Sequence, residues 1–102
     1  MMKPSKKERK SWLKTTNNAV VFKFMNVQII TPDKELFAGE ASLAQFPGLD
    51  GSFEILNNHA PMVAALRAGK VKLRLDDDKE EFIEIRGGLV EVLDNQLLVL
   101  AE

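Results

Sequence analysis

The stretch Lys70-Val71-Lys72-Leu73-Arg74-Leu75 alternates strictly between charged and apolar side chains. Because successive side chains of a β-strand point to opposite faces of the sheet, this alternation predicts a strand with one buried and one solvated face. The polar run Asp76–Lys79 follows and predicts a hairpin loop, and Glu81–Ile85 predicts the returning strand. This part of the chain therefore predicts an antiparallel hairpin.

The residues after this hairpin continue the β pattern. Gly87-Gly88 is expected to break or bulge the chain, because glycine weakens strand interiors and is common at bulges. Leu89–Leu93 and Gln96–Leu100 then flank Asp94-Asn95. Such a pair between two apolar runs is typical of a two-residue turn, so we expect a second antiparallel hairpin here.

Further short strand patterns precede Lys70. Val27–Ile30 leads to a turn at Thr31–Lys34, and Ala60–Leu66 is expected to end at Ala68-Gly69. Several short strands at a spacing of roughly 8–12 residues predict a sandwich or barrel. No helix of useful length is visible, so the predicted fold class is all-β.

The segment from Pro47 to Pro61 holds two glycines, bracketing prolines and the chain's only histidine, His59. Proline lacks the donor that a β-ladder needs, so one strand is not expected to run through the whole segment. We expect a turn, a short strand and a second turn that displays His59. Exposed turns carry recognition more often than packing does, which makes this segment a candidate binding site.

The composition limits the possible functions. The chain has 102 residues, enough for one domain, with 45% hydrophobic and 28% charged residues, which is ordinary for a globular protein. It has no cysteine, which excludes disulfides, thiol catalysis and thiolate metal sites, and one histidine cannot form a histidine-rich metal site. No apolar run approaches the ~18–20 residues of a membrane-spanning helix.

Charge divides the chain at about residue 24. Residues 1–24 carry seven basic side chains against Glu8 alone, whereas residues 25–102 carry seven basic and fourteen acidic side chains. We therefore expect a flexible basic extension over 1–24 and a folded domain over 25–102. The acidic domain makes a nucleic-acid partner unlikely on electrostatic grounds.

Three interpretations of Met1–Asn18 stay open. The first is a disordered tail, or a start assigned too early, since Met25 directly precedes the first clear strand. The second is a basic anchor to anionic lipid or to an acidic partner. The third is a targeting segment, because the residues are basic and poor in acid.

Candidate chemical sites are weak. His59 has Asp50, Ser52 and Glu54 nearby in sequence, but no nucleophile elbow surrounds Ser52, so catalysis by His59 is disfavoured. Asp76–Asp78 lacks the ligand spacing of a calcium loop, and a solvated hairpin explains it better. We predict no catalytic residue, metal or cofactor, and therefore an interaction role. The alternative is a lipoyl or biotinyl carrier domain modified at Lys79 in its hairpin loop.

Four segments in order resemble the N-terminal β-domain of ATP synthase epsilon subunits. They are Val27–Pro32 with Leu36–Glu40, the loop ending in Ile55–Pro61 (commonly I-L-P-G-H-A-P in the family), Ile85–Val92 (commonly S-G-G-F-V-E-V) and Val99–Ala101. Together they extend from Met25 to Glu102 with matching spacing. One such match would be weak, whereas four in register make the resemblance strong.

The resemblance implies a ten-stranded β-sandwich, or flattened barrel, at the foot of a rotor. In the family this domain is a non-catalytic central-stalk subunit, one copy per complex, that binds the gamma subunit on one side and the polar loops of the membrane c-ring on the other. It couples these two parts during proton-driven ATP synthesis. The implied location is the cytoplasmic face of the bacterial inner membrane, or its organellar equivalent, without insertion into the membrane.

The resemblance also assigns residues. Thr31 and His59 match positions on the gamma-facing side, and Asn57-Asn58 replaces the usual Pro-Gly before His59. The residues expected at the c-ring are Asp50, Gly51, Ser52 and Glu54. Many relatives continue into two C-terminal helices that inhibit ATP hydrolysis and in some cases bind ATP. Nothing follows Glu102 in this sequence, so we expect neither property here.

Overall fold

The computed structural model describes residues 13–16, 19–22 and 24–102, and the structural statements below refer to these residues. They form nine strands and one short 3-10 turn, Asp76–Asp78. The strands are β1 (Leu13–Thr16), β2 (Ala19–Phe22), β3 (Met25–Ile30), β4 (Glu35–Ala41), β5 (Leu43–Gly48), β6 (Gly51–Leu56), β7 (Met62–Arg74), β8 (Glu80–Leu93) and β9 (Gln96–Ala101).

Strands β3 to β9 form one seven-stranded sheet in the order β4-β3-β9-β8-β7-β5-β6. Its neighbours pair antiparallel except for β3 and β9, which are parallel. The predicted all-β class is confirmed. The count of ten strands is too high for the described residues, because β7 and β8 each run without a break. The expected interruptions at Ala68-Gly69 and Gly87-Gly88 are therefore wrong.

In the two long strands, β7 and β8, the face that is buried in the core differs between the first and second halves. This change explains how one sheet forms a sandwich. On β8 the buried side chains are Ile83 and Ile85 and then Val90 and Val92, an odd step that moves the core to the opposite face. The step falls at the glycine pair, and β7 changes faces opposite it with the pairing register intact. Strands that pass from one layer to the other bend in this way at sandwich corners.

The core between the two layers is one cluster of apolar side chains. Its largest fully buried members are Phe46, Met25, Ile29, Ile55 and Leu73, from β5, β3, β6 and β7. The half-buried Phe53 packs its ring at 5.7 Å from that of Phe46 between centroids. Both halves of β7 and β8 contribute, so the layers share a single core.

Strand β5 continues through Pro47 and Gly48, further than the sequence predicts. The strand tolerates proline because its register with β7 shifts between Gln45 and Gly48, so no ladder donor is needed from Pro47. The expected turn, short strand and second turn follow as Leu49-Asp50, β6 and Asn57-Asn58.

The hairpin β1–β2 lies within the basic extension and pairs only with itself. Strand β1 falls where no regular structure was expected. Residues 1–12, 17–18 and 23 lie outside the described residues, so the flexible extension and the domain boundary at residue 25 stay predictions. The described residues include no helix with the length and hydropathy that a bilayer crossing requires.

Candidate partner-binding site

The turn that carries His59 is a four-residue turn from Leu56 to His59. The amide of His59 donates to the carbonyl of Leu56 at 3.2 Å, and Asn58 has φ = 65°. A positive φ at the third residue only is the pattern of type II turns. Asn58 therefore takes a left-handed conformation, which asparagine tolerates, at the position where relatives commonly have glycine.

Asn95 joins this turn to the β8–β9 hairpin. Asn95 is 6% exposed and is the one buried polar residue among the described residues. Its Nδ2 donates to Oδ1 of Asn57 at 2.7 Å, and its Oδ1 accepts from the backbone amide of Asn58 at 2.6 Å. Its carbonyl accepts from the amide of Asn26 at 2.9 Å. Sequence reasoning found Asn95 only as a turn residue, since nothing local indicates these distant partners.

His59 is half-buried, and its imidazole bonds to its own backbone segment. Nδ1 lies 2.7 Å from the carbonyl oxygen of Ala60, and because a carbonyl only accepts, this contact needs the proton on Nδ1. In the neutral ring Nε2 is then an acceptor. Ser52 lies toward the opposite end of β6, about 13 Å from Leu56 at ~3.3 Å per residue. A triad of His59 and Ser52 is therefore not assembled.

Thr31 uses its hydroxyl within its own turn. Oγ1 accepts from the amides of Asp33 at 3.2 Å and Lys34 at 3.1 Å, and it donates to the carbonyl of Lys34 at 3.1 Å. The side chain thus stabilises the β3–β4 turn that the sequence predicts. What Thr31 presents to a partner is this turn rather than a free hydroxyl.

An apolar surface, here called the outer face, lies between these two turns. Cross-strand partners point to the same side of a sheet, and one row runs across four strands. The outer face consists of Ile30, Leu100, Leu89, Ala65, Leu98 and Val63. Val63 is 62% exposed and Leu100 45%. The turn of Thr31 borders this face at one end, and the turns of His59 and Asn95 border it at the other.

Two shallow depressions connect His59 to the outer face. One is lined by Asn58, His59, Pro61, Asp94 and Asn95. The other is lined by Glu91, Leu93, Asp94, Gln96 and Leu98. Both include the exposed Asp94, so the surface is continuous from the histidine turn onto the sheet. Glu91 lies between Val63 and Leu98, so its carboxylate stands among the apolar side chains of the outer face.

The residues expected at the c-ring lie together on the β5–β6 hairpin, here called the tip (residues 48–54). Asp50, Gly51, Ser52 and Glu54 are all exposed, and Ser52 and Glu54 share the outward face of the edge strand β6. Glu54 therefore presents its carboxylate on the same side as Ser52. The tip and His59 lie at opposite ends of β6, so the structure separates His59 from the residues expected at the c-ring.

Two hydrogen bonds join the tip to β7, and within the tip the backbone at Gly48 closely approaches that of Gly51. Leu49 donates its amide to the carbonyl of Ala65 at 3.1 Å, and Nε of Arg67 donates to the carbonyl of Gly48 at 3.0 Å. A Cβ at Gly48 would stand 2.6 Å from the carbonyl oxygen of Gly51, which has φ = 129°. Sequence reasoning did not single out Arg67.

Within the described part of the chain, no group of three or more histidine and carboxylate side chains is placed to hold a metal ion. Lys79, the alternative modification site, follows the 3-10 turn at the far end of the β7–β8 hairpin. Its carbonyl accepts from the amide of Leu75 at 2.7 Å.

Comparison with known proteins identifies relatives of this domain. Residues 24–102 match the family described as ATP synthase, Delta/Epsilon chain, beta-sandwich domain. The ATP synthase epsilon chain of Chlorobium limicola is 45% identical over 80 residues, which cover 78% of this chain and 91% of that protein.

Two solved structures share the fold. In the Euglena gracilis mitochondrial ATP synthase (OSCP/F1/c-ring), the match has a TM-score of 0.75 and 14% identity over 98% of this chain and 65% of that one. In the Tetrahymena thermophila mitochondrial ATP synthase (central stalk/c-ring), it has a TM-score of 0.64 and 24% identity over 76% of this chain and 62% of that one. At these identities the structural matches establish the fold alone. By the family match and the Chlorobium relative, this chain belongs to the delta/epsilon chain family of ATP synthases.

Proposed function

We propose that this chain is the epsilon-type subunit of an F-type ATP synthase, a non-catalytic part of the rotor that couples the gamma subunit to the c-ring. The observation that carries this proposal is the presence of two different surfaces on a single domain, the apolar outer face and the polar tip, which adjoin at Ala65. The names of the epsilon relative and of the two ATP synthase assemblies support it. They favour the rotor subunit over a lipoyl or biotinyl carrier.

The outer face is the proposed gamma surface. Exposed apolar side chains gathered on one sheet face are typical of an interaction site, and Thr31 and His59 border this one. Glu91 lies within the apolar surroundings, so its burial by a partner would be costly without an opposite charge. We therefore expect the gamma subunit to place a basic side chain against Glu91.

The tip is the proposed c-ring surface. Its exposed carboxylates, Asp50 and Glu54, can meet basic polar loops, and charged rims mainly raise the association rate and fix the register of a complex. The hydrogen bonds from Leu49 to Ala65 and from Arg67 to Gly48 hold the tip against β7, and Ala65 belongs to the outer face. In this arrangement load passes from the tip to the gamma surface through one strand. The proposed subunit is present once per complex, at the cytoplasmic face of a bacterial inner membrane or its organellar equivalent.

The experiment that tests the gamma contact is a titration of this chain into the gamma subunit of the same organism. We expect a one-to-one complex that Leu89→Asp weakens strongly, because the variant places a charge on the outer face. Phe82→Asp is the matched control, since Phe82 is 56% exposed but lies near the start of β8, before Gly87-Gly88 and away from the outer face. Absence of a complex at micromolar concentrations, or equal weakening by both variants, would overturn the proposal.

A further inference from the structure

The His59 turn lacks the two residues that preset its backbone geometry most strongly. A type II turn prefers proline at its second position, where φ is preset, and glycine, or less strongly asparagine, at its third, where φ is positive. Here Asn57 and Asn58 occupy those positions, with φ = 65° at Asn58. Compared with proline and glycine, two asparagines leave the free turn less strongly biased toward this conformation. A restraint beyond the Leu56–His59 hydrogen bond would therefore favour the observed conformation.

The side chain of Asn95 supplies that restraint from a different part of the chain. It donates to Asn57 at 2.7 Å and accepts from the amide of Asn58 at 2.6 Å, so both central residues of the turn are bonded to it. Asn95 is buried, so water cannot readily replace these partners of its side chain. The turn therefore has a second attachment besides β6 and β7.

Asn95 is itself fixed relative to the outer face. Its φ of 61° and that of 51° at Asp94 form a tight two-residue turn between β8 and β9, and its carbonyl bonds to Asn26 at the start of β3. Strands β3, β8 and β9 carry most of the outer face. The side-chain amide of Asn95 thus links the His59 turn to the strands that carry the apolar side chains of the outer face.

We propose that Asn95 is a positioning residue for partner binding: it fixes His59 relative to the outer face, so that both form one surface. This inference rests on the proposed function, in which that surface receives the gamma subunit. Asn95 acts through the turn and not by touching the partner, since its side chain is buried.

The test is a double-mutant cycle on gamma affinity, measured by calorimetry with the full chain. Asn95→Gly removes the side chain and keeps the left-handed backbone. We expect Asn95→Gly and His59→Ala each to weaken binding by about tenfold, the scale of a few lost neutral contacts. Because Asn95 acts through His59, we expect the double variant to be no weaker than His59→Ala. Additive losses would show a general structural effect and overturn the inference.

A rescue variant provides the second readout. Adding Asn57→Pro and Asn58→Gly to Asn95→Gly gives the turn its preferred residues, and we expect this to restore most of the lost affinity. Failure of the rescue in a variant that melts like the wild type would count against the inference. If Asn95→Gly binds gamma with wild-type affinity while His59→Ala binds more weakly, the inference about Asn95 is overturned and the proposed function stands. If the wild-type chain forms no complex with gamma, the proposed function is overturned as well.

Discussion

Gly69 of β7 lies directly against the ring of Pro47 of β5. A Cβ at position 69 would stand 2.9 Å from Cβ of Pro47 and 3.2 Å from its Cγ. The contact falls where β5 and β7 are out of register, between the pairings of Gln45 and Gly48. Proline cannot donate to a ladder, and the missing side chain at Gly69 lets β7 pass over it. This pair explains how an interior strand of the sheet contains a proline.

Replacing Gly69 by alanine is expected to destabilise the domain. The added methyl group overlaps the proline ring, and overpacking of this kind costs about 1–3 kcal/mol. Thermal unfolding should show a fall in Tm of roughly 4–8 °C for each kcal/mol in a domain of this size. Gly39→Ala is the control, because its nearest atom is the end of the Phe37 ring at 3.2 Å, which can move. Equal Tm values for the two variants would contradict this prediction.

Gly88→Ala is expected to destabilise the sandwich corner more than Gly87→Ala. Both glycines have left-handed φ values, 145° at Gly87 and 143° at Gly88, so both variants carry backbone strain. Only at Gly88 would the new Cβ also overlap the backbone, at the carbonyl of Leu100. At Gly87 the nearest atom belongs to the side chain of Glu102, at 3.3 Å. Urea denaturation measures the two free energies of unfolding, and the reverse order would refute the overlap as the cause.

Arg67→Met is expected to loosen the tip without affecting the outer face. Methionine keeps an unbranched apolar stem but cannot donate to the carbonyl of Gly48. Amide exchange at Leu49, whose bond to Ala65 lies beside this contact, should become faster, and affinity for an isolated c-ring should fall. Gamma affinity should not change. Arg86→Met, at another exposed arginine, is the control, and a similar effect from both variants would exclude a specific role for Arg67.

Neutralising the tip is expected to weaken c-ring binding in a salt-dependent way. The double variant Asp50→Asn, Glu54→Gln removes both carboxylates without changing the shape of the tip. The loss should be large at low salt and small near 1 M salt, where the screening length is about 3 Å. The double variant Glu81→Gln, Glu84→Gln, in the first half of β8, is the matched control. A loss that salt does not alter would show that charge is not what the ring recognises.

Local patterns predicted those parts of the fold that depend on neighbouring residues. The alternation of Lys70–Leu75 gave a strand with Val71 and Leu73 buried, and Asp94-Asn95 forms the expected two-residue turn with both φ values positive. In each case the side-chain period or the turn chemistry acts over a few residues, which a sequence displays directly.

Features that depend on distant contacts were missed. A strand was expected to end at Ala68-Gly69, and Gly87-Gly88 was expected to break or bulge the chain. Each strand instead continues and changes its buried face near these glycines, because the other layer of the sandwich takes over the core. The role of Asn95 depends on Asn57 and Asn58, which reach it only through the fold. The outer face has no sequence signature, since its side chains come from four separate strands.

The parallel pairing of β3 with β9 has a consequence for biosynthesis. Strand β9 lies between β3 and β8, so without it the sheet falls into two unconnected pieces, β4-β3 and β8-β7-β5-β6. During translation Val27 and Ile29 of β3 cannot pair with β9 until Leu97 and Val99 have been synthesised. Because non-local pairing of this kind is slow, the two pieces stay unconnected until β9 has left the ribosome. We therefore expect a polypeptide cut short before Gln96 to leave the core faces of both pieces exposed.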